Sequence, residues 1–502
     1  MTISLQFKFP AHLTLEQLIA QLDSDIDCQS VATQSHLKTY YDSFDWRLYS
    51  SGMVCQFIPP DLTLKTVKND TFIAGTKLKK VPKFSDQFKP DKIRDLLEPI
   101  LEMRALLPVC TVAYQHHQFN IINEDGKTVV RLFVDEYEHL APRIFLQSLK
   151  GYDHAAESLI KHLAALGLSE TTEPVLLDAL EQQGRSVNDY SSKLTISLTA
   201  DMRADVACKI IYRCLLKTMQ DNQQGTISDT DSEFLHDFRV AVRRTRAALS
   251  QLKNVLPDDI HSTYVSFFSW LGQITGPTRD LDVYLLNFAS YKNSLPLSIR
   301  EDLNPLHDFL LKKQRQAQQE LVKNLHSARY HTTLSAWEHY LGEPVQTHPD
   351  ASNAQLTIKQ LADKRIRKSF KRVLCEGKAI NDDCPDEDLH ELRKSCKKLR
   401  YLMEFFQSLY DKDAIKALIK ALKGLQEVLG DFQDCAVQEC SLKHFSEEMR
   451  TLNTPTDTFL AIGNLIANID TRKHEIRSHF AEKFAEFTEK DTVATFKLLF
   501  SN

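Results

Sequence analysis

The sequence predicts an α+β chain in two parts: an N-terminal antiparallel β domain with accessory helices, then an all-helical region built twice from one unit. Three observations lead there. The apolar period changes from two to 3.6 near residue 150, Pro, Gly and strand formers thin out beyond that point, and the helical half repeats itself at a fixed offset of 154 residues.

Residues 1–150 carry short runs rich in β-branched and aromatic residues: ISLQFKF, MVCQFI, LTLKTV, CTVAYQ, FNII and VVRLFV. NEDGK marks a turn between the last two. From about 153 apolar residues recur three and four apart, as in ESLIKHLAALGL, SFFSWLGQI and KALIKALKGLQEVL. Residues 151–198 are read as a helical connector ending in the polar stretch QQGRSVNDYSSK, and 199–502 as the helical domain. Charge follows the same division, with 20 basic and 25 acidic residues in 1–195 and 42 of each in 196–502.

The chain of 502 residues is too long for a single core, and its 42% hydrophobic and 26% charged content is that of an ordered globular protein. A net charge of −5 gives no bulk attraction for polyanions or membranes, so any such site must be local. No apolar run reaches the ~18 residues of a membrane span, and the start, MTISLQFKFPAHLTL, lacks the pattern of a secretory leader. The expected location is cytoplasmic. The ten Cys form no CxxC pair and are read as small buried hydrophobes.

The repeat aligns LHDFRVAVRRTR (Leu235–Arg246) with LHELRKSCKKLR (Leu389–Arg400). His236, Arg239 and Arg246 recur as His390, Arg393 and Arg400, while Arg243 and Arg244 become Lys397 and Lys398. Without a gap, Leu271, Gly276, Asp280 and Val283 align with Leu425, Gly430, Asp434 and Val437, and upstream Arg213 and Lys217 with Arg367 and Lys371. Register held over some seventy residues defines two units, about 199–340 and 353–502, each long enough for a bundle of four or more helices.

On a helix His236, Arg239, Arg243 and Arg246 fall within roughly an 80° sector, beside a broad apolar sector of Phe234, Phe238, Ala241, Val242, Ala248, Leu249 and Leu252. Arg244 and Lys398 lie off the stripe, as flanking contacts or as solvated charge. Like charges three and four apart cost a few tenths of a kcal/mol per pair, so the stripe calls for an anionic partner. Guanidinium forks bind phosphate oxygens bidentately, and Lys adds point charges. One basic helix alone reads as a solvated face; retention of the same pattern in both copies argues for binding. GPTRD and its copy GDFQD are read as interruptions of the helical pattern, with Asp280 and Asp434 placed to cap a helix or pair with an Arg of the stripe. Arg279 is a candidate for the basic surface in the first copy only, where its counterpart is Gln433, and Lys394 in the second only, opposite Val240.

The pattern H-x2-R-x3-[RK]-[RK]-x-R, followed forty residues after the His by G-x3-D, resembles the CHAD domain, over about 199–502. That resemblance implies two pseudo-symmetric four-helix bundles whose basic helices line a groove that binds inorganic polyphosphate. The residues that carry the implication are His236, Arg239, Arg243, Arg244, Arg246, His390, Arg393, Lys397, Lys398 and Arg400, with Arg213, Lys217, Arg367 and Lys371 from each unit's first helix. The first half is similar to a CYTH domain, a β-tunnel or barrel of the triphosphate-hydrolase type, through YYDSFDWRLYSSG at 40–52, LTLK at 62–65, and Leu107–Pro108–Val109 leading to FVDEYE. Lys8, Lys65 and Asp135 match. That family's opening E-x-E-x-K, whose carboxylates hold a divalent metal, is here Ser4-Leu5-Gln6-Phe7-Lys8; Gln56 stands where Arg is usual, and RIFLQSL at 143–149 lacks the late Glu pattern.

The expectation is therefore a non-catalytic protein that binds polyphosphate, with a degenerate tunnel domain, no cofactor and an association with polyphosphate granules. Its alternative is a metal-dependent inorganic triphosphatase using Mg²⁺ or Mn²⁺. Nucleic acid is disfavoured as a partner because Phe238 and Phe405 sit in apolar sectors and no exposed aromatics interleave with the stripes.

Overall fold

The computed structural model describes residues 4–381 and 383–501. It divides at Ser191/Ser192 into two compact units. In the first, strands β1 (Ser4–Lys8), β2 (Asp27–Asp42), β3 (Met53–Ile58), β4 (Asp61–Thr66), β5 (Phe72–Lys77), β6 (Leu107–Ile122), β7 (Thr128–Tyr137), β8 (Arg143–Ser148) and β9 (Ser169–Glu170) form one sheet. Its order is β5-β4-β3-β2-β6-β7-β8-β1-β9, antiparallel throughout. β4 and β1 stand six strands apart, about 29 Å across a flat sheet at ~4.8 Å per strand. Yet Lys65 of β4 and Gln6 of β1 line one small cavity with Lys38, Gln56 and Phe145. The sheet therefore curls round on itself, which is the tunnel the sequence predicts.

Helices α1 (Leu15–Asp25), α2 (Arg47–Ser50), α3 (Lys92–Leu101), α4 (Asp153–Ala165) and α5 (Val175–Gln182) complete this unit. Thr14 starts α1 with a reciprocal capping box to Gln17, and Asp91 caps α3 through the amides of Ile93 and Arg94. Leu18 and Leu22 of α1 and Leu159 and Leu163 of α4 are buried with Val130, Leu132, Ile144 and Leu146 of the sheet. α5 instead packs Val175, Leu176, Ala179 and Leu180 with Tyr40, Cys110 and Tyr114. Residues 151–198, read from the sequence as a connector, thus divide: α4, β9 and α5 are built into the first unit, and Ser192 onward belongs to the second.

The second unit contains α6 (Ala204–Ile227), α7 (Ser232–Gln251), α8 (Asp258–Ile274), α9 (Gly276–Leu286), α10 (Phe288–Asn293), α11 (Asn304–Leu325) and α12 (Ala328–Gly342). It continues with α13 (Ile358–Ala379), α14 (Asp386–Phe406), α15 (Lys412–Met449), α16 (Thr456–Ser478), α17 (Phe480–Phe487) and α18 (Lys490–Leu499). α13, α14 and α15 begin 154 residues after α6, α7 and α8, so the sequence repeat is a structural repeat. The contact between copies is reciprocal. The Ala204 amide donates to the Leu356 carbonyl (2.9 Å), and the Ile358 amide, at the position equivalent to Ala204, donates to the Met202 carbonyl, equivalent to Leu356 (2.7 Å). Such an exchange is the mark of a two-fold relation.

The seven apolar residues predicted to bury on α7 are all buried. Asp231 caps that helix through the amides of Glu233 and Phe234. One interruption needs correction. The helix breaks at Thr275, before Pro277, which has no amide hydrogen to give; in the second copy Asp431 replaces that proline and α15 runs unbroken through Gly430. Of the ten cysteines, all unpaired, five are buried; Cys28, Cys214 and Cys384 are half-buried and Cys375 and Cys440 exposed, which corrects the reading of the cysteines as buried hydrophobes. Among the described residues no helix is long and apolar enough to cross a membrane.

Two glycines test the packing. A Cβ on Gly225 would lie 2.2 Å from the Phe234 ring, whereas Gly424 has open space around it. Gly225→Ala is expected to lower the unfolding free energy by about 1–3 kcal/mol, and Gly424→Ala to raise it by about 0.5–1 kcal/mol. Urea unfolding of both variants measures this; an unchanged Gly225→Ala midpoint would mean that Phe234 moves aside at no cost.

Candidate functional site

α7 and α14 pack against each other across the repeat, and their 3.6-residue period turns one basic stripe from each toward the other. Two hollows result. One, of about 520 Å³, is lined by His236, Arg239 and Arg243 of α7, Arg279 and Asp280 of α9, His390 and Arg393 of α14, and Gln433 and Asp434 of α15. It takes equivalent positions from both copies, so it sits astride the pseudo-two-fold axis. The other, of about 610 Å³, is lined by Arg243 and Arg246 of α7, Lys253 in the turn that follows it, His261 of α8, and Lys394, Lys397, Lys398 and Tyr401 of α14. Arg243 lines both, so the two adjoin at its side chain.

Within the axial hollow, Arg239 lies 4.0 Å from Asp280 and its counterpart Arg393 lies 3.1 Å from Asp434. Both acids of the G-x3-D segments therefore pair with the stripe. The Arg239 and Arg393 guanidiniums lie over Gly276 and Gly430, 3.4 and 3.9 Å from where a Cβ would be, so a methyl group there would only touch them. The amide oxygen of Gln433 only accepts, so the Nδ1–H of His390 donates to it (2.6 Å) and Nε2 is left for other partners. Arg393 Nε is buried without a hydrogen-bond partner. Burial, with the Arg393 and Arg243 charges beside it, pushes the Lys397 amine down to about 8. Among the described residues Arg243, Arg246, Lys253, Lys397 and Lys398 form no ion pair.

Other predicted residues are committed elsewhere. Arg244 is bound to Glu404 (3.2 Å) and to the Ser192 carbonyl (3.3 Å), and Arg400 to the same Glu404 (3.5 Å). Neither is a groove cation, because one carboxylate engages both. Arg279 lines the axial hollow but clamps the start of α7 through the Ser232 carbonyl (3.0 Å) and Glu233 (3.5 Å). Lys394 pairs with Glu391, and Lys217 with Asp221 (3.0 Å). Arg213, Lys217, Arg367 and Lys371 are exposed on α6 and α13 and line neither hollow. Lys253, His261 and Tyr401 were not anticipated. None of the three follows from the helical stripe: Lys253 lies in the turn after α7, and His261 and Tyr401 reach the hollow only by packing.

In the first unit the small cavity measures about 30 Å³, the share of one water molecule. Lys38 and Lys65, which line it, and Lys8 and Arg143, which do not, all meet the protein's own acids. Lys8 and Arg143 bind Asp178 of α5 (2.8 and 2.5 Å), Lys65 binds Asp70 (2.6 Å), and Lys38 lies 3.7 Å from Asp135. Asp135 also accepts from the Tyr137 hydroxyl and touches His116 Nδ1. The Ser4 side chain lies outside the described residues. With a neutral amide at Gln6, and no group of three His, Cys, Asp or Glu among the described residues placed to hold a metal ion, the residues present do not fit a divalent cation.

Residues 211–443 match the family model of the CHAD domain, and the helical unit carries that domain. An uncharacterized protein of Mycobacterium tuberculosis is 26% identical over 228 residues, 45% of this chain and 42% of its own length, so the match spans less than half of that relative. The CHAD domain of Ricinus communis is 26% identical with a TM-score of 0.49, covering 58% of this chain and 95% of that one. A Hippeastrum protein described as having a dominant triphosphatase activity is 14% identical with a TM-score of 0.26, covering 38% of this chain and all of that one.

The crowding of Lys397 has a sign in stability. Its folded amine titrates near 8 and its unfolded amine near 10.5, so between those values the unfolded chain holds the extra proton and stability rises with pH. Below that window the cost of the charge is fully present. Lys397→Met is expected to be more stable than the parent at about pH 7 and to lose the rise toward about pH 10. Urea unfolding at the two pH values checks it, and parallel pH dependence in both proteins would refute the assignment.

Proposed function

We propose that the helical unit binds inorganic polyphosphate along the basic groove between α7 and α14, and that it does so without turning the ligand over. The observation that carries this is the set of five cations, contributed by both copies, that line one hollow and have no ion-pair partner among the described residues. A linear chain of phosphates supplies the missing negative charge at the spacing of successive helical turns. Aromatic rings at the groove, Tyr284 and Tyr401, are only 5% and 3% exposed, which offers no stacking platform to a nucleic acid. The first unit is proposed as a non-catalytic partner, since its cations are neutralised by Asp178, Asp70 and Asp135 and its cavity has no room for a triphosphate. Such a ligand would place the protein in the cytoplasm, at polyphosphate granules.

Calorimetric titration with polyphosphates of defined length tests this reading. Affinity should exceed that for orthophosphate and fall with salt, with a log–log slope of about −0.7 per phosphate neutralised. Equal binding of orthophosphate and long chains at low salt would end it. Arg243→Ala with Lys397→Ala is expected to weaken binding by at least about tenfold, the loss of two charge-assisted contacts, whereas Lys8→Ala should leave it unchanged. Phosphate release from tripolyphosphate with Mg²⁺ or Mn²⁺, abolished by Lys8→Ala, would instead favour the triphosphatase.

A further inference from the structure

The two copies differ where the groove leaves the axis. We propose that the groove is open at one end and closed at the other, and that it takes the terminus of a linear oligophosphate rather than an internal stretch. This rests on the polyphosphate reading above.

The open arm runs along Arg246 and Ser250 of α7 and Lys253 in the turn that follows. The equivalent positions on and after α14 are Arg400, Glu404 and Gln407. A carboxylate thus replaces a hydroxyl, and an amide replaces an ammonium. Glu404 neutralises both Arg400 and Arg244, so a phosphate approaching there meets a negative group and no unpaired cation. Chain also crosses this end. Gln407 donates to the Leu194 carbonyl (3.2 Å), the Leu198 amide donates to Ser408 Oγ (3.0 Å), and Arg244 holds the Ser192 carbonyl. Leu194, Ile196 and Leu198 are buried in the main core, which fixes this strap in place.

The axial hollow between the arms is walled in part by Tyr284, Val283 and Val437. A chain entering by the open arm meets, on its far side, Glu404 and the strap in place of a second row of unpaired cations. It stops among His236, Arg239, His390 and Arg393. A chain end suits that place. A terminal phosphate has a second proton that leaves near pH ~6, so it carries close to one more negative charge than an internal phosphate at neutral pH.

Two measurements on the full-length protein test this, using linear polyphosphate of two lengths and the same chains with both terminal phosphates capped as amidates. Sedimentation should find at most two copies per uncapped chain whatever its length, and capping should weaken binding by about tenfold, as expected for losing charge-assisted contacts. Copies per chain that rise with length, or equal affinity for capped and uncapped chains, would overturn the proposal. Absence of binding by either kind of chain would remove the polyphosphate reading itself.

Discussion

Two helices of like charge pressed together across a pseudo-two-fold axis are the constraint on which the helical unit depends. α7 and α14 bring Arg239, Arg243, Arg393 and Lys397 into one neighbourhood, where burial and mutual repulsion lower the proton affinity of three of them. What holds the helices there is the other side of each. Phe238 and Val242 on α7, and Leu399, Phe405 and Phe406 on α14, are essentially fully buried. At about 1.5–3 kcal/mol per large apolar side chain, that burial outweighs repulsions of a few tenths per helical pair. The apolar sector sets the geometry, and the cations follow it.

The two units treat their positive charge in opposite ways. In the tunnel each cation named has a carboxylate: Asp178 reaches from α5 to both Lys8 and Arg143, and Asp70 and Asp135 engage Lys65 and Lys38. For the buried members, Arg143 and Lys38, those pairs offset part of the cost of taking charge out of water. In the groove the two aspartates available, Asp280 and Asp434, stay at its axial end and are largely exposed, at 70% and 64%. Among the described residues the groove keeps cations without an ion-pair partner, which the tunnel cations named here do not.

Repetition accounts for the groove's symmetry, and divergence between the copies for its asymmetry. Arg279 in the first copy clamps the start of α7, while Gln433 at the same place in the second orients the His390 ring. Pro277 breaks one copy's helix and Asp431 lets the other's continue. Ser250 and Glu404 differ by a full charge at one position, and that difference recruits two arginines out of the groove. Each change is local, yet each alters a pair of sites related by the axis, so the two ends need not do the same work.

How much of this was legible in the sequence depended on the distance over which each signal acts. The 3.6-residue period and the 154-residue offset are regularities along the chain, so the stripe, its apolar flank and the helix starts of the second copy could be read directly. Strand runs such as MVCQFI were equally plain, since a strand buried on both faces is continuously apolar. Partnership was not legible. Arg244 and Glu404 are 160 residues apart, and Lys8 and Asp178 are 170 apart, so nothing in a helical wheel or strand pattern reveals that those cations are already satisfied. A motif lists which charges are present, and only the fold decides which of them remain to meet a ligand; that is why Arg244, inside the most telling motif of the chain, is structural, while Lys253, outside it, faces the groove.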